Sequence, residues 1–384
     1  MTITNAKPKT PNDRILIPIL IGLVIISGTA LGALAIYSSN DIKNLDSPND
    51  ITESVDIILD MSNIVSPGEV ELTAQDAPTT IKTGGSYIFS GTTNQSIIVD
   101  AENAEVEIVL DGVEISTADT AAIIGLDADK ITIETADGTT NILADGGSSQ
   151  YDGCIFSNAE LVFAGSGTLK VTGQQLEGEG IATEAANLTF QSGNYIITSA
   201  DDGLNAGGNG ATIAINGGTF YINANGDGID SNKNVVINGG TIFVIGSDTG
   251  GDAGIDTDDG FTIDGGTIIA LGTDMIETPL DSSTQTSLAF TLDQTIAKDT
   301  TVTLMRGDKE VISFSAPKSF RTLIISSPQL ADGTYELYTS GSHTGRLTNG
   351  IYTGGEYYKG QQLNVNDASN FVVNKIVNQY GRTR

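Results

Sequence analysis

A three-part repeat runs through the middle of this chain and limits its fold more than any other feature does. A glycine followed by an apolar residue recurs at intervals of 23 to 27 residues, and two apolar triplets recur at the same pace. An Asn-Gly-Gly-Thr or Asp-Gly-Gly-Thr turn separates the two triplets in the later repeats. The glycine pairs are Gly153-Cys154, Gly180-Ile181, Gly203-Leu204, Gly228-Ile229 and Gly254-Ile255. The triplets lie at 161–163, 188–190, 213–215, 235–237 and 261–263, and at 169–171, 195–197, 220–222, 242–244 and 268–270.

This spacing predicts an all-β fold, a parallel β-helix with three short strands in each coil of about 22–27 residues. The repeats have no apolar period of 3.6 residues, which argues against leucine-rich repeats and βαβ units. An antiparallel sandwich would need hairpin turns between successive strands, and the three-strand period argues against it. Weaker repeats at 131–133, 106–110 and 87–89 extend the pattern backwards, so we expect the solenoid to cover 67–282.

The alternation within each triplet assigns side chains to the two faces of a strand. Ile213, Ile215, Phe220 and Ile222 should point inward, and Cys154 should be a small buried side chain with no reactive role. The middle residues of the third triplet should point outward as one column, which consists of Lys170, Ile196, Tyr221, Phe243 and Ile269.

That outward column is the first candidate for a binding surface. An exposed apolar and aromatic stripe needs either a ligand or a covering segment. Aromatic rings stack against the apolar faces of sugars, so Tyr221 and Phe243, with Lys170 beside them, are the candidate carbohydrate-binding residues. The alternative is that the C-terminal segment packs over the stripe. We expect that segment, 283–384, to form a β cap that ends the stack of coils.

A row of acidic residues marks a second candidate site. The predicted metal ligands lie in or beside three consecutive first strands: Asp202, Asn205, Asp227, Asp230, Asp252, Asp256 and Asp258. Stacked coils would place like carboxylates roughly 5 Å apart, where they raise one another's pKa. Because hard oxygen ligands suit Ca²⁺, the row predicts a calcium site between coils. The alternative is a solvated acidic edge with local Asx-turns.

Composition excludes several kinds of chemistry. The net charge of −30 argues against nucleic-acid binding, since phosphates would be repelled. One cysteine and one histidine permit neither an internal disulfide nor a Cys/His zinc site. Only Lys130, Lys170 and Lys233 are basic between residues 83 and 297. Lys233 is therefore a weak candidate for the base of a lyase, and pairing with Asp230 would keep it protonated.

The N-terminus carries an export signal. Residues 15–37 form an uncharged segment that is long enough for a membrane-spanning helix. Basic residues in 1–14 precede it, so the remainder of the chain should lie outside the cell at its surface, after a linker at 38–66. A cleaved signal peptide ending near Ala33-Leu34-Ala35, which would give a secreted protein, is the alternative.

The motifs Asp-Asp-Gly at 201–203, Gly-Asp-Gly-Ile-Asp-Ser at 226–231 and Asn-Gly-Gly-Thr at 216–219 and 238–241 resemble a known family. It is the bacterial and archaeal carbohydrate-binding β-helix family that includes a clostridial cellulose-binding surface protein. Segments 301–304, 318–328 and 350–355 are similar to the closing part of the same family, so the resemblance covers roughly 65–380.

The resemblance implies a right-handed β-helix of polysaccharide-lyase-like shape, with Ca²⁺ between coils. It also implies binding of a polysaccharide such as cellulose or polygalacturonate, without an established catalytic activity. By the motif, Asp202, Asn205, Asp227 and Asp230 are metal-site positions. Ala253 departs from the family, which has an acidic residue there. A calcium-dependent polysaccharide lyase and a structural adhesin are the alternative functions.

Overall fold

The structure is a computed structural model that describes residues 63–363 apart from 75–76, 148, 175–177, 209 and 332. Every regular element longer than one residue in this part of the chain is a β-strand. The predicted membrane helix at 15–37 lies outside the described residues. Within 63–363, no helix long and apolar enough to cross a membrane is found.

One parallel sheet is built from the first strand of every coil, and its strands are ordered as in the sequence. Its nine strands are Ile64–Val65, Thr79–Ile81, Ile97–Asp100, Ile123–Asp127, Ile155–Ser157, Ile181–Thr183, Leu204–Ala206, Ile229–Ser231 and Asp256–Thr257. The register joins equivalent repeat positions, so that Ile181 lies beside Leu204 and Leu204 lies beside Ile229. This sheet is called the first sheet below.

The second and third strands of the coils join into one larger sheet, called the second sheet. Its parallel strands are Gly68–Leu72, Gly85–Thr93, Glu105–Ser116, Lys130–Thr135, Thr140–Ala144, Glu160–Gly165, Thr168–Thr172, Leu188–Phe190, Asn194–Ser199, Ile213–Ile215, Thr219–Ala224, Val235–Ile237, Thr241–Ile245, Phe261–Ile263 and Thr267–Gly272. The predicted all-β parallel solenoid is therefore confirmed.

The repeated Gly-Gly turns bend the chain between the second and third strands of the later coils. The second glycine of each turn, Gly218, Gly240 and Gly266, has φ of +103°, +98° and +91°. A side chain there would be strained, and a Cβ on Gly240 would lie 2.8 Å from the carbonyl oxygen of Gly218. The neighbouring coil thus leaves room for glycine only.

The interior of the coils is a continuous apolar stack. Ile213, Ile215 and Ile222 are completely buried, as is Cys154, whose thiol pKa is raised by burial. Aromatic rings of neighbouring coils also stack, and the ring centroids of Phe163 and Phe190 are 4.9 Å apart. The predicted inward positions are confirmed.

The C-terminal part ends the parallel stacking. Strands Ser287–Ile296 and Phe320–Ser326 extend the second sheet, and Phe320–Ser326 pairs antiparallel with the last parallel strand. A separate antiparallel sheet consists of Thr301–Arg306, Lys309–Ser315, Glu336–Thr339, Arg346–Thr348, Ile351–Thr353 and Gln361–Gln362. Ser342–His343 pairs with Tyr357–Tyr358. These strands, from Ser287 onward, are called the cap.

Phe190 tests the contribution of the interior stack. Its buried ring lies 4.9 Å from Phe163, 5.0 Å from Tyr195 and 5.1 Å from Phe220, measured between centroids. Replacing it by alanine leaves a cavity, so we expect Phe190→Ala to lower the free energy of unfolding by about 3–5 kcal/mol. Denaturant unfolding measures this change. The control is Ile88→Ala on the outer face, 37% exposed, for which about 0.5 kcal/mol or less is expected. Equal losses in the two variants would contradict the assigned faces.

Candidate functional site

The acidic row follows one edge of the first sheet. Asn205, Asp230 and Asp256 are in register on three neighbouring strands, and all three are half-buried. Because inward neighbours such as Leu204 and Ile229 fill the core, these three side chains are directed outward. The predicted column is therefore present.

Asp202 and Asp227 lie just before the strands and bind the backbone of the following coil. The amide N–H of Asp227 donates to Oδ1 of Asp202 at 2.7 Å. In the same way, the amide N–H of Ala253 donates to Oδ1 of Asp227. Each carboxylate thus joins two coils, which is a structural role that needs no metal.

Asn205 lies between two carboxylates. Its Nδ2 donates to Oδ2 of Asp202 at 3.0 Å and to Oδ2 of Asp230 at 3.3 Å. The amide therefore offsets part of the repulsion between these two acidic groups. Its other terminal atom, Oδ1, is a hard oxygen of the kind that binds calcium.

Burial raises the pKa of Asp202, Asp227 and Asp230 in this row, and neighbouring carboxylates raise it further. The pKa is about 7 for Asp202, about 8 for Asp227 and about 6 for Asp230. The carboxylate with the largest effect on Asp202 is that of Asp201. Among the neighbouring carboxylates, that of Asp202 raises the pKa of Asp227 most, and that of Asp256 raises the pKa of Asp230 most. Keeping these carboxyl groups ionised at neutral pH therefore costs free energy.

Glu179 is a further member of the row, one coil before Asp202. Its side chain is 6% exposed, and Oε2 has no hydrogen-bond partner. Burial raises its pKa to about 10, and the facing side chain of Asp152 adds to the shift. Its position before Gly180, matching Asp202 before Gly203, was a visible sequence signal.

The predicted metal ligands lie near one another without forming a dense cluster. Asp252 acts electrostatically on Asp227, and Asp258 acts on Asp230, so both belong to the same edge. Among the residues that the structure describes, no three Asp, Glu, His or Cys side chains converge closely enough to hold an ion. A calcium ion here would therefore need the Asn205 amide, backbone carbonyls or water among its ligands.

Lysine chemistry at this edge does not favour proton abstraction. Lys233 is half-buried, and its predicted ion pair with Asp230 is not among those found in the described part of the chain. The structure adds Lys318 from the cap, which repeat analysis could not place. Its ammonium donates to the carbonyl oxygen of Ala224, to Oδ1 of Asn225 at 2.9 Å and to the carbonyl oxygen of Gly246 at 3.5 Å.

Those three acceptors match the three protons of the Lys318 ammonium group. Burial lowers the pKa of Lys318, while the carboxylate of Asp248 opposes the change. A lysine with all its protons engaged holds the cap against the coil turns and is poorly suited to act as a base.

A second surface lies on the outer side of the third strands. It consists of the outward residues of four successive strands and is called the third-strand face: Thr140, Ile142, Ala144, Thr168, Lys170, Thr172, Asn194, Ile196, Thr198, Thr219, Tyr221 and Asn223. Lys170 is its single charged side chain. These twelve side chains include no acidic group, and Glu114 of the preceding coil, in register with Ile142, borders the face at its far end.

The prediction that Phe243 and Ile269 are exposed is wrong. Both side chains are completely buried, because they form one apolar cluster with cap residues such as Phe314 and Phe320. The alternative interpretation, in which the C-terminal segment covers the stripe, is confirmed at these two positions. A repeat pattern assigns a side chain to the outside of a coil but cannot show what packs there.

Tyr221 lies at the boundary between the covered and the open part of the column. Its ring is half-buried and stacks on Phe243 with centroids 5.6 Å apart and planes 13° apart. Ile196 is half-buried and Lys170 is exposed in the two preceding coils. In the next column, Oδ1 of Asn223 is buried without a hydrogen-bond partner, a feature that sequence analysis missed.

Comparisons with known proteins find a relative that is described as a carbohydrate-binding domain-containing protein. A carbohydrate-binding domain-containing protein of Acetivibrio thermocellus is 30% identical over 138 residues, which is 33% of this chain and 48% of the relative. The chain therefore matches about half the length of that relative.

A solved structure of a polysaccharide lyase-like protein from C. thermocellum, a gadolinium derivative, is also similar. It is 28% identical, and the alignment covers 50% of this chain and 90% of that chain with a TM-score of 0.43. A score below 0.5 does not establish a common overall fold, and the solenoid described above is defined by its own strand pairing.

The family comparison extends over more of the chain. The model of the family described as carbohydrate-binding domain-containing protein matches residues 75–322. This segment begins near the first coils, includes every later parallel strand and ends within the cap strand Phe320–Ser326. The chain belongs to the carbohydrate-binding domain-containing protein family.

Proposed function

We propose that this protein is an extracellular polysaccharide-binding protein whose third-strand face contacts the glycan. The observation that carries the proposal is the half-buried Tyr221, which ends a face of threonine, asparagine and apolar side chains with one lysine, in a protein otherwise rich in carboxylates. Neutral sugars offer hydroxyl groups and apolar ring faces, and this surface offers both kinds of partner. Carbohydrate binding accords with the family to which the chain belongs.

The arrangement of the face suits an extended chain. Threonine and asparagine side chains flank the central column Ile142, Lys170, Ile196 and Tyr221. Equivalent positions of stacked coils are about 4.8 Å apart, so the face presents hydroxyl and amide groups at regular intervals. Phe243, in register on the next strand, stacks on one side of the Tyr221 ring, which restrains the ring before a ligand arrives and lowers the entropy lost on binding.

The described residues favour a binding function over that of a lyase. A lyase needs a base beside its substrate, and Lys318 already donates to three acceptors. Lys233 follows the first-sheet strand Ile229–Ser231, whereas the third-strand face belongs to the second sheet. We accordingly propose no catalytic residue.

We propose that residues 15–37 attach the protein to the cell surface, so that the solenoid faces the medium. The support is the uncharged run that follows basic residues in 1–14. Surface attachment would hold a bound polysaccharide close to the cell.

We also propose that Ca²⁺ stabilises the acidic row, with Asp202, Asn205, Asp227 and Asp230 as the residues that would hold it. The support is chemical: the residues offer hard oxygen donors and buried carboxylates with raised pKa values. In the described part of the chain, none of these carboxylates forms an ion pair with a basic side chain. Turning the Asn205 amide would replace Nδ2 by Oδ1 in front of the carboxylates. When bound, the ion would neutralise charge that now repels.

Removal of the Tyr221 ring tests the binding surface. We expect Tyr221→Ala to weaken retention on insoluble cellulose by about three- to tenfold, because one aromatic contact contributes roughly 0.5–1.5 kcal/mol beyond area burial. A pull-down of the soluble segment 51–384 over a range of cellulose concentrations measures the loss.

The matched control is Tyr151→Ala, which removes a half-buried tyrosine that packs against Phe156 at the first sheet, with centroids 5.3 Å apart and planes 41° apart. Retention should be unchanged in this variant. Loss of retention in Tyr151→Ala with none in Tyr221→Ala would move the site to the first sheet, and no retention of the wild type on any glycan would refute the proposed function.

Calcium removal tests the metal proposal separately. We expect excess chelator to lower the melting temperature of wild-type protein, and Ca²⁺ to restore it, because ion binding to the folded state adds stability. Asp230→Asn removes one negatively charged ligand and should reduce the calcium-dependent rise. Identical melting curves with Ca²⁺ and with chelator would contradict the proposal.

The raised carboxyl pKa values predict how pH acts on the chelated protein. Asp202, Asp227 and Asp230 bind protons more tightly when folded than when unfolded, where the pKa is about 3.9. Stability should therefore fall as pH rises from about 4 to about 8, as these groups lose their protons. Asp227→Asn should make the fall shallower. A melting temperature that rises across this range in both proteins would contradict the assignment.

A further inference from the structure

Tyr221 has one ring face directed toward the cap and one directed away from it. Phe243 lies in register on the next strand, and the two rings stack with planes 13° apart and centroids 5.6 Å apart. Because parallel rings at this distance are too close to lie side by side in one plane, Phe243 packs against the face on the cap side. The opposite face is therefore directed toward Ile196, which is in register on the preceding strand.

The cap closes the third-strand face one coil beyond Tyr221. Phe243 is completely buried, and a Cβ on Gly350 of the cap would lie 2.7 Å from its ring. The ring of Phe314, also in the cap, lies 6.3 Å from that of Phe243, measured between centroids. Ile269 in the following coil is completely buried in the same apolar cluster. A glycan chain that ran lengthwise along the central column would therefore be stopped by the cap directly after Tyr221.

A row of shorter side chains lies in front of the open face of Tyr221. It is called the Ile196 row and consists of the outward residues of one third strand: Asn194, Ile196 and Thr198. Nδ2 of Asn194 already donates to two carbonyl oxygens of the preceding coil, at 3.0 Å and 3.2 Å. Oδ1 is therefore the atom that this amide can offer to a sugar hydroxyl group. At the other end of the row, Thr198 is exposed and offers its own hydroxyl group.

Lys170 borders the Ile196 row on the side away from Tyr221. It is exposed and in register with Ile196, so that the row lies between Lys170 and Tyr221. Two coil spacings separate the backbones of the two outer strands by about 10 Å. Because lysine and tyrosine are longer than isoleucine, the row forms the floor of a shallow trough with one wall on each side. The trough runs parallel to the strands and therefore across the direction in which the coils stack.

The orientation of the Tyr221 ring sets the direction of a bound chain. The stack of Tyr221 on Phe243 runs from strand to strand, so a sugar ring on the open face has a plane that contains the strand direction. In cellulose the chain axis lies in the mean plane of the sugar rings. A cellulose-like chain stacked on Tyr221 therefore follows the trough, and its neighbouring sugars reach Asn194 and Thr198.

We infer that the third-strand face binds a single cellulose-like chain crosswise, along the Ile196 row, with one sugar ring between Tyr221 and Lys170. The inference rests on the proposed function, and it assigns the chain direction and the contact residues at the same site. Ile142 lies two coils before Ile196 and stays outside the contact. A lengthwise chain would instead cover Ile142 and would leave Thr198 at its side.

Two arginine substitutions in one column test the chain direction. Ala144 and Thr198 hold equivalent positions two coils apart. We expect Thr198→Arg to weaken the binding of cellohexaose by about tenfold or more, because the new side chain fills one end of the trough. Ala144→Arg adds the same charge and bulk outside the trough and should bind like the wild type. So should Ile142→Ala, which shortens a 38% exposed side chain.

Isothermal titration calorimetry of the full-length protein in mild detergent measures the affinities, and melting curves verify that each variant is folded. Weakened binding by Ile142→Ala, together with wild-type binding by Thr198→Arg, would overturn the crosswise direction and leave the proposed function standing. Equal losses in Thr198→Arg and Ala144→Arg would also overturn it, since added charge would then explain both. Wild-type binding of oligogalacturonate alone would overturn the cellulose-like chain but not polysaccharide binding. Binding of neither glycan would overturn the inference together with the proposed function.

Discussion

The parallel hydrogen-bonded register between successive coils is the constraint on which the rest of this structure depends. It brings each repeat position beside its equivalent in the next coil, as Ile181, Leu204 and Ile229 demonstrate. A residue type that recurs in the sequence therefore becomes a column in space. The inward columns form the apolar core, and the outward columns decide what each face of the solenoid can bind.

The same register concentrates unlike chemistry on different faces. On the first sheet it stacks carboxyl groups until burial and mutual repulsion raise the pKa of Asp227 to about 8. On the third-strand face it aligns hydroxyl and amide side chains with an apolar column and a single lysine. Repulsion on one face can be relieved by protons or by a cation, whereas the other face needs neither. The proposed Ca²⁺ site and the proposed glycan-binding surface therefore lie on different faces of the solenoid.

Much of this arrangement could be predicted from the sequence, because in a solenoid the residues at equivalent positions of successive repeats lie side by side. The strand ladders, the inward Phe220 and Ile222 and the outward column through Asn205, Asp230 and Asp256 could all be predicted. The contacts that join distant segments could not. The repeat pattern predicts that Phe243 points outward, but the cap buries its side chain. Lys318 donates to the carbonyl oxygens of Ala224 and Gly246, which are more than 70 residues away in the sequence. No repeat relates those positions, so local pattern carries no information about them.

The cap therefore does more than end the stack. By burying Phe243 and Ile269 it removes apolar surface that would otherwise invite aggregation. It leaves Tyr221 at the boundary, where Phe243 of the next coil stacks on one side of its ring. The hairpin turn at Gly350 packs against the same Phe243 ring. The cap therefore restrains Tyr221 through Phe243, and a ring that is held in place before binding loses less entropy when a ligand arrives.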